Sequence, residues 1–271
     1  MQRNVFMISD GTGITAENLG NSLITQFESI QFDKLTLPYI DTIEKAEATV
    51  KRINACYEET GIKPLIFMTL INPDIAHTIN QAKAHVFDLF NVFLGPLEIE
   101  LNAKSSYTVG KTHGVANQQT YTHRIEAVDY AMSHDDGVNI RGYEKADIIL
   151  IGVSRCGKTP SCLYMALHFG VLAANYPFTD EDLKSFRLPD ILKPYKSKLF
   201  GLTIDAERLQ HIRTERRPNS KYSSMEQCRL EVSEVEAMYK CEHIPYLNST
   251  RYSIEEIATK ILSTAGIRRK F

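Results

Sequence analysis

No stretch of this sequence approaches the ~18 consecutive apolar residues that a membrane-spanning helix needs. The opening MQRNVFMIS also lacks the long apolar segment and cleavage site of a secretory signal, so a cytoplasmic protein is expected. Charge of one sign is missing too. The 31 Lys and Arg stand against 33 Asp and Glu, a formal net charge of -2, which offers no whole-protein attraction to polyanions. Nucleic acid and membrane are therefore not expected as partners. Cysteine is scarce and unpatterned: Cys56, Cys156, Cys162, Cys228 and Cys241 are odd in number and never in C-x-x-C spacing, which argues against a disulfide framework or a zinc knuckle. No internal repeat or low-complexity tract occurs. What is present is 271 residues, 43% apolar and 24% charged, enough to bury the core of one large domain or two ordinary ones.

The first ~90 residues alternate short apolar strands with helical patterns, the signature of a layered α/β domain with a mainly parallel sheet. NVFMIS, DKLTLPYI and KPLIFMTLI read as strands, the last so apolar that it is expected to be central. The first helix is expected to bury Ala16, Leu19, Leu23 and Phe27, and the second Ile43, Ala46, Val50, Ile53 and Tyr57. Asp41 with Glu44 reads as a cap for the second helix, and Asn72 before Pro73 as the start of a third. From Leu101 to about Gly142 the alternation weakens to a polar stretch and one helix, RIEAVDYAMSH. The rhythm returns with strand DIILIG, helix SCLYMALHFGVLAA, strand KLFGLTI, an arginine-rich segment, a long helix capped by Ser223 and Glu226, strand HIPYLN and a last helix capped by Ser253 and Glu256. The expected organisation is an α/β chain: an N-terminal layered domain over 1–100, a connecting segment over 101–143, and a C-terminal P-loop kinase-like domain over 144–271.

Chemistry concentrates in IGVSRCGKTP. Gly152, Gly157, Lys158 and Thr159 satisfy G-x-x-x-x-G-K-S/T, with an apolar strand entering and a helix leaving. Such a loop curls so that backbone N–H groups converge, and the helix N-terminus adds a partial positive charge. Gly152, Val153, Ser154, Arg155, Cys156, Gly157, Lys158 and Thr159 are the expected phosphate cradle. Lys158 would bridge phosphate oxygens, Thr159 would offer its hydroxyl to Mg2+, and Arg155 joins Lys158 as a candidate catalytic group. Cys156 reads either as a thiol activated by the loop amides or as a small loop residue. SYTVGKTH repeats the triplet at Gly110, Lys111 and Thr112, but Ser105 stands where the first glycine belongs and no apolar strand precedes it, so it is rejected.

Other candidates leave two readings open. Asp10, Gly11, Thr12 and Gly13, between a strand and a helix, form either a tight turn or a second site for a phosphate-bearing group. Asp205, at the end of a strand, is a candidate catalytic base or magnesium ligand. Arg208, Arg213, Arg216 and Arg217 behind it are either mobile neutralisers of a transferred phosphoryl group or a solvated helix face. His113, His123 and His134 match no metal signature.

ISDGTGITAENLG, RIEAVDYAMSHDDG, GVSRCGKTP and AANYPF, in this order over essentially the whole chain, closely resemble the phosphoenolpyruvate synthase regulatory proteins, in one family with the plant pyruvate, phosphate dikinase regulatory proteins. The loop with Cys156 and Gly157 looks like the synthase-regulating branch. The resemblance implies a bifunctional enzyme: an ADP-dependent serine/threonine protein kinase that inactivates phosphoenolpyruvate synthase, and a phosphorylase that uses inorganic phosphate to reactivate it and releases pyrophosphate. The target would be recognised in its phosphohistidine form. Spacing and composition by themselves reach only a P-loop phosphotransferase. They leave open a small-metabolite kinase, a nucleotide-sensing switch without chemistry, and assembly into a homo-oligomer.

Overall fold

A computed structural model describes residues 2–108, 118–184 and 187–270. The chain divides into two compact units, Met1–Ala116 and Asn117–Phe271, so the polar stretch 101–143 is shared between them. Gly110, Lys111, Thr112 and His113 lie outside the described residues.

The first unit contains β1 (Gln2–Ser9), α1 (Ile14–Ile24), β2 (Gln31–Leu37), α2 (Ile43–Thr60), β3 (Leu65–Thr69), α3 (Pro73–Asn80), β4 (His85–Asp88) and α4 (Leu89–Leu101). The second contains α5 (Gln118–Ser133), β5 (Ile148–Gly152), α6 (Lys158–Phe169), β6 (Ala173–Pro177), α7 (Asp180–Lys184), β7 (Leu199–Thr203), α8 (Ala206–Arg216), α9 (Met225–Cys241), β8 (Tyr246–Asn248) and α10 (Ile254–Ala265). Each unit holds a four-stranded sheet, ordered β2-β1-β3-β4 and β6-β5-β7-β8, and every pairing is parallel. A parallel sheet is covered on both faces, which is why β5 and β7 are buried at every residue. The sheet order reverses beside the first strand of each unit, and ligands of open α/β sheets bind at the carboxyl ends of strands at such a reversal. DGTG leaves β1 and GVSRCGK leaves β5, so each loop opens at that point in its own unit.

Several local expectations are corrected. The helix expected through Ala174 stops at Phe169, because Gly170 adopts φ 64 and donates its N–H to the Ala166 carbonyl; a left-handed glycine terminates a helix this way. AANYP then becomes β6, and HVFD becomes β4, an edge strand with no clear alternation to betray it. The second helix is capped by Thr42, whose hydroxyl accepts from the Lys45 amide, while Asp41 pairs with the Lys45 ammonium. The long helix is capped by Ser224 instead of Ser223, which turns back to the Arg217 carbonyl. On α1 the buried face is Ala16, Gly20 and Ile24, with Leu23 and Phe27 exposed; Gly20 sits against Met7 and Phe67. The caps at Asn72 and Ser253 form as expected. α4 buries only Leu89, so its apolar sequence adds little to the core.

In the second unit Tyr239 from α9 is fully buried and donates its hydroxyl hydrogen between the carbonyls of Ile151 and Leu202, on β5 and β7. Its ring fills the space over Gly201, where an added Cβ would lie 2.6 Å from Tyr239 Cζ and 2.8 Å from Tyr246 Cβ. The anchored ring has no room to retreat. Gly201→Ala is expected to cost about 1–3 kcal/mol through overpacking, a fall of several degrees in Tm by thermal denaturation; an unchanged Tm would show that the Tyr239 anchor is soft.

Candidate functional site

The loop Val153–Gly157 joins the buried end of β5 to the N-terminus of α6, and its backbone is tied from within. Lys158 is 4% exposed, and its ammonium donates to the carbonyls of Gly152 at 3.1 Å and Val153 at 2.8 Å. The Phe178 amide also donates to Gly152 O. The Ser154 carbonyl accepts from Arg213 Nη2 at 3.2 Å. Ser249 Oγ donates to the Cys156 carbonyl at 2.9 Å, and Ser161 Oγ to the Gly157 carbonyl at 2.8 Å. In a planar trans peptide the C=O and N–H point in opposite directions. Engaging the carbonyls of Val153, Ser154 and Cys156 from the body of the unit therefore turns the amides of Ser154, Arg155 and Gly157 away from it. Among the described residues the amides of Ser154, Arg155 and Gly157 carry no hydrogen bond.

Two residues bend the loop through left-handed backbone, Arg155 at φ 80 and Gly157 at φ 98. Gly157 does so at no steric cost. At Arg155 the conformation costs of order 1 kcal/mol, held by the ties on either side. Gly152 is required for another reason: a Cβ there would lie 2.4 Å from the Leu202 carbonyl, backbone that cannot move aside.

The loop faces a cleft of about 230 Å³ lined by Asp136, Ser154, Arg155, Gly157, Lys158, Thr159 and Pro160. Asp136 and its neighbour Asp135 come from the turn after α5. Thr159 Oγ1 donates to Asp135 Oδ1 at 2.8 Å, and Asn175 on β6 donates its side-chain N–H to the same oxygen. Asn175 further accepts from the Asp136 amide at 3.1 Å, and its own amide donates to the His134 carbonyl. One asparagine thus holds the His134–Asp136 turn against the loop. His134 itself is buried, stacked on Tyr130 at 3.9 Å, with Nδ1 2.7 Å from the Tyr130 carbonyl, a packed role rather than a metal ligand. Sequence reasoning quoted both DDG and AANYPF but missed Asp135, Asp136 and Asn175 as site residues, since 40 positions separate the two motifs' paired groups.

The other candidates fall elsewhere. Asp205 is exposed, accepts from Asn248 Nδ2 at 2.8 Å and lines a different cleft with Glu207, Arg229 and Glu236. Arg213 is neither mobile nor solvated. It is fully buried and forks onto Glu231, with Nη1 and Nη2 3.0 and 2.6 Å from its two carboxylate oxygens. In the first unit Asp10 accepts from the Ile71 amide at 2.8 Å, the Gly11 amide donates to Ser9 Oγ, and Gly13 precedes α1 at φ 81. The last two are local to the loop, and the first ties it to the segment after β3. Burial raises the Asp10 carboxyl above the usual carboxylate range, opposed by the Ile71 amide.

A model of the family described as kinase/pyrophosphorylase matches residues 5–262. A Legionella pneumophila (strain Lens) protein named as a phosphoenolpyruvate synthase regulatory protein is 72% identical over 270 residues, spanning 100% of both chains. Proteins with the same name are 56% identical in Pseudomonas aeruginosa (strain LESB58), over 100% of this chain and 99% of that one, and 55% identical in Hahella chejuensis, over 99% of each.

Cys156 resolves against an activated thiol. It is 1% exposed, and burial pushes its pKa up, outweighing Lys158 and the loop amides that pull it down. The thiolate is the reactive form. Iodoacetamide at neutral pH is therefore expected to label the exposed Cys241 and spare Cys156 in the folded protein, read by peptide mass spectrometry; rapid labelling of Cys156 would contradict the burial argument.

Proposed function

The chain belongs to the kinase/pyrophosphorylase family, and from that premise we propose that it adds a phosphoryl group to a threonine of phosphoenolpyruvate synthase and removes it again. ADP is the donor in one direction and inorganic phosphate the acceptor in the other. The names of the relatives support the synthase as target. The motif resemblance supports the threonine, the two phosphate substrates and the phosphohistidine form of the target. The observation that carries the reading is the orientation of the loop, with carbonyls engaged from inside and amides left toward an anion.

In the forward step the threonine oxygen bonds to the β-phosphorus of ADP while the bond from that phosphorus to the bridging oxygen breaks. AMP leaves with the electron pair, and the threonine proton passes to a base. Asp136, exposed on the same cleft, is the carboxylate we assign to take it. In the return step an oxygen of inorganic phosphate attacks the phosphothreonine phosphorus, threonine leaves and regains its proton, and pyrophosphate is the product. Both steps move a phosphoryl group between a threonine oxygen and a phosphate oxygen, so one cradle serves both. Catalysis of such transfers rests on positioning and charge neutralisation. Lys158 would exchange its two loop carbonyls for phosphate oxygens, and the exposed Arg155 would cover the transferred group.

Thr159 Oγ1 and Asp135 Oδ1 are oxygen donors of the kind Mg2+ takes. Among the described residues no cluster of three or more His, Cys, Asp or Glu side chains stands ready for a metal, which suits an ion that arrives with the phosphates. Bound there, Mg2+ would supply charge neutralisation. No helix of the described residues is long and apolar enough to cross a membrane. The cytoplasm is the location proposed because the target is a metabolic enzyme.

The test is incubation with ADP labelled at the β-phosphate and the synthase in its phosphohistidine form. Label on threonine with release of AMP is the expected result; transfer only from ATP to a metabolite, or binding without transfer, would replace the proposal with one of the two alternatives. Lys158→Ala is expected to slow both directions ~100-fold or more, a transition-state contact of about 3 kcal/mol, and loss in one direction alone would break the shared cradle.

A further inference from the structure

We propose that Arg213 is a positioning residue for the phosphate loop: by holding the Ser154 carbonyl it aims the Arg155 amide at the bound anion. The proposal rests on the reading of that loop as the phosphate site. Arg213 lies in the last turn of α8 and is fully buried. Its guanidinium reaches three separate pieces of chain. Nη2 donates to Ser154 O at 3.2 Å, Nη1 donates to Tyr222 O at 3.1 Å, and both donate to Glu231 on α9. The guanidinium also lies 4.2 Å from the centroid of the Tyr222 ring, and the Tyr222 hydroxyl is 3.1 Å from Ser154 Oγ. Glu231, 6% exposed, receives a further hydrogen bond from Gln227 Nε2.

Stability is a poor reason for this arrangement. A buried ion pair is often no better than apolar side chains of the same volume, and here the guanidinium Nε is buried with no partner among the described residues, which adds a cost. What the arginine does provide is a rigid fork of donors, anchored by Glu231 and directed at two backbone carbonyls. One of those carbonyls belongs to the residue before Arg155, where the loop passes through left-handed φ. That peptide plane is the one most in need of an outside hold. Because the peptide is planar and trans, turning Ser154 C=O toward Arg213 turns Arg155 N–H away from it, and that amide is among those with no partner in the described residues. Arg213 touches neither nucleotide nor target in this scheme. It acts through the loop.

Two variants separate direction from charge. Arg213→Lys keeps a cation opposite Glu231 but cannot hold both carbonyls in a fixed fork. The double variant Arg213→Met with Glu231→Leu removes both charges and keeps the volume, which protects folding. Calorimetric titration of the full chain with inorganic phosphate and with Mg-ADP is expected to show both ligands weakened about tenfold in either variant, the loss of one hydrogen bond to an anion. The Arg155 amide resonance, which should shift when phosphate is added to the wild type, is expected to stay in place in both. A folded variant that binds both ligands like the wild type, or in which the Arg155 amide still responds to phosphate, overturns the proposal. Restored affinity in Arg213→Lys overturns it as well, since charge alone would then suffice. Failure of the wild type to bind either ligand instead removes the reading of the loop on which the proposal stands, and is distinguishable because no variant is needed to see it.

Discussion

The site depends on one constraint, that a peptide unit is flat and cannot offer its carbonyl and its amide to the same side. Five carbonyls from Gly152 to Gly157 are met by donors from the unit's interior: a lysine ammonium, an arginine, two serine hydroxyls and a backbone amide. Each tie has a direction, and together they decide which way the loop's N–H groups face. An anion site of the kind proposed would thus have its amide donors aimed before the ligand arrives. Lys158 is itself one of the ties, so the charge that would neutralise a phosphate is stored against the loop's own backbone in the meantime.

The same constraint explains why so much of the second unit converges on a short loop. β5 and β7 are locked together beneath it by the Tyr239 hydroxyl. Ser249, just beyond β8, holds the loop from one side and also donates to the Thr203 carbonyl at the end of β7. The Arg213–Glu231 pair holds it from α8 and α9. Asn175 on β6 brings in the turn after α5, and with it the two carboxylates at positions 135 and 136. The contacts from β5, β7 and the residue after β8 gather at the strands' carboxyl ends, where the strand-order reversal leaves room for a ligand.

Both units use the same sheet order, yet their first loops differ in what their backbone is left to do. In the first unit Asp10 and Ser9 satisfy amides with their own side chains, and the Gly11 carbonyl is taken by the Tyr39 amide. In the second, five of the carbonyls from Gly152 to Gly157 are met, and among the described residues the amides of Ser154, Arg155 and Gly157 carry no hydrogen bond. The difference lies in side chains that are remote in sequence.

Strong local signals were legible directly. A central parallel strand is apolar throughout because both its faces are covered, so β1, β3, β5 and β7 announced themselves, and a glycine-lysine-threonine triplet between strand and helix located the loop. The caps at Asn72 and Ser253 followed from hydrogen bonds three residues or fewer in reach. Where two neighbouring serines or threonines competed for a helix start, as at Ser223 and Ser224, local pattern could not choose, because the losing side chain found a partner in the Arg217 carbonyl instead. The edge strand β4 and the short β6 carried too little alternation to register. The buried role of Arg213 could not be read: a stretch with three further arginines and two glutamates looks either mobile or solvated, and only the packing of α8 against α9 puts Glu231 within 2.6 Å of it. The sequence by itself determined where the glycine-rich loop between β5 and α6 lies, since that signal is written in adjacent positions. The tertiary structure alone decided which carboxylates and which arginine serve the loop, because hydrogen bonds are specified by distance in space, and chain separation says nothing about that.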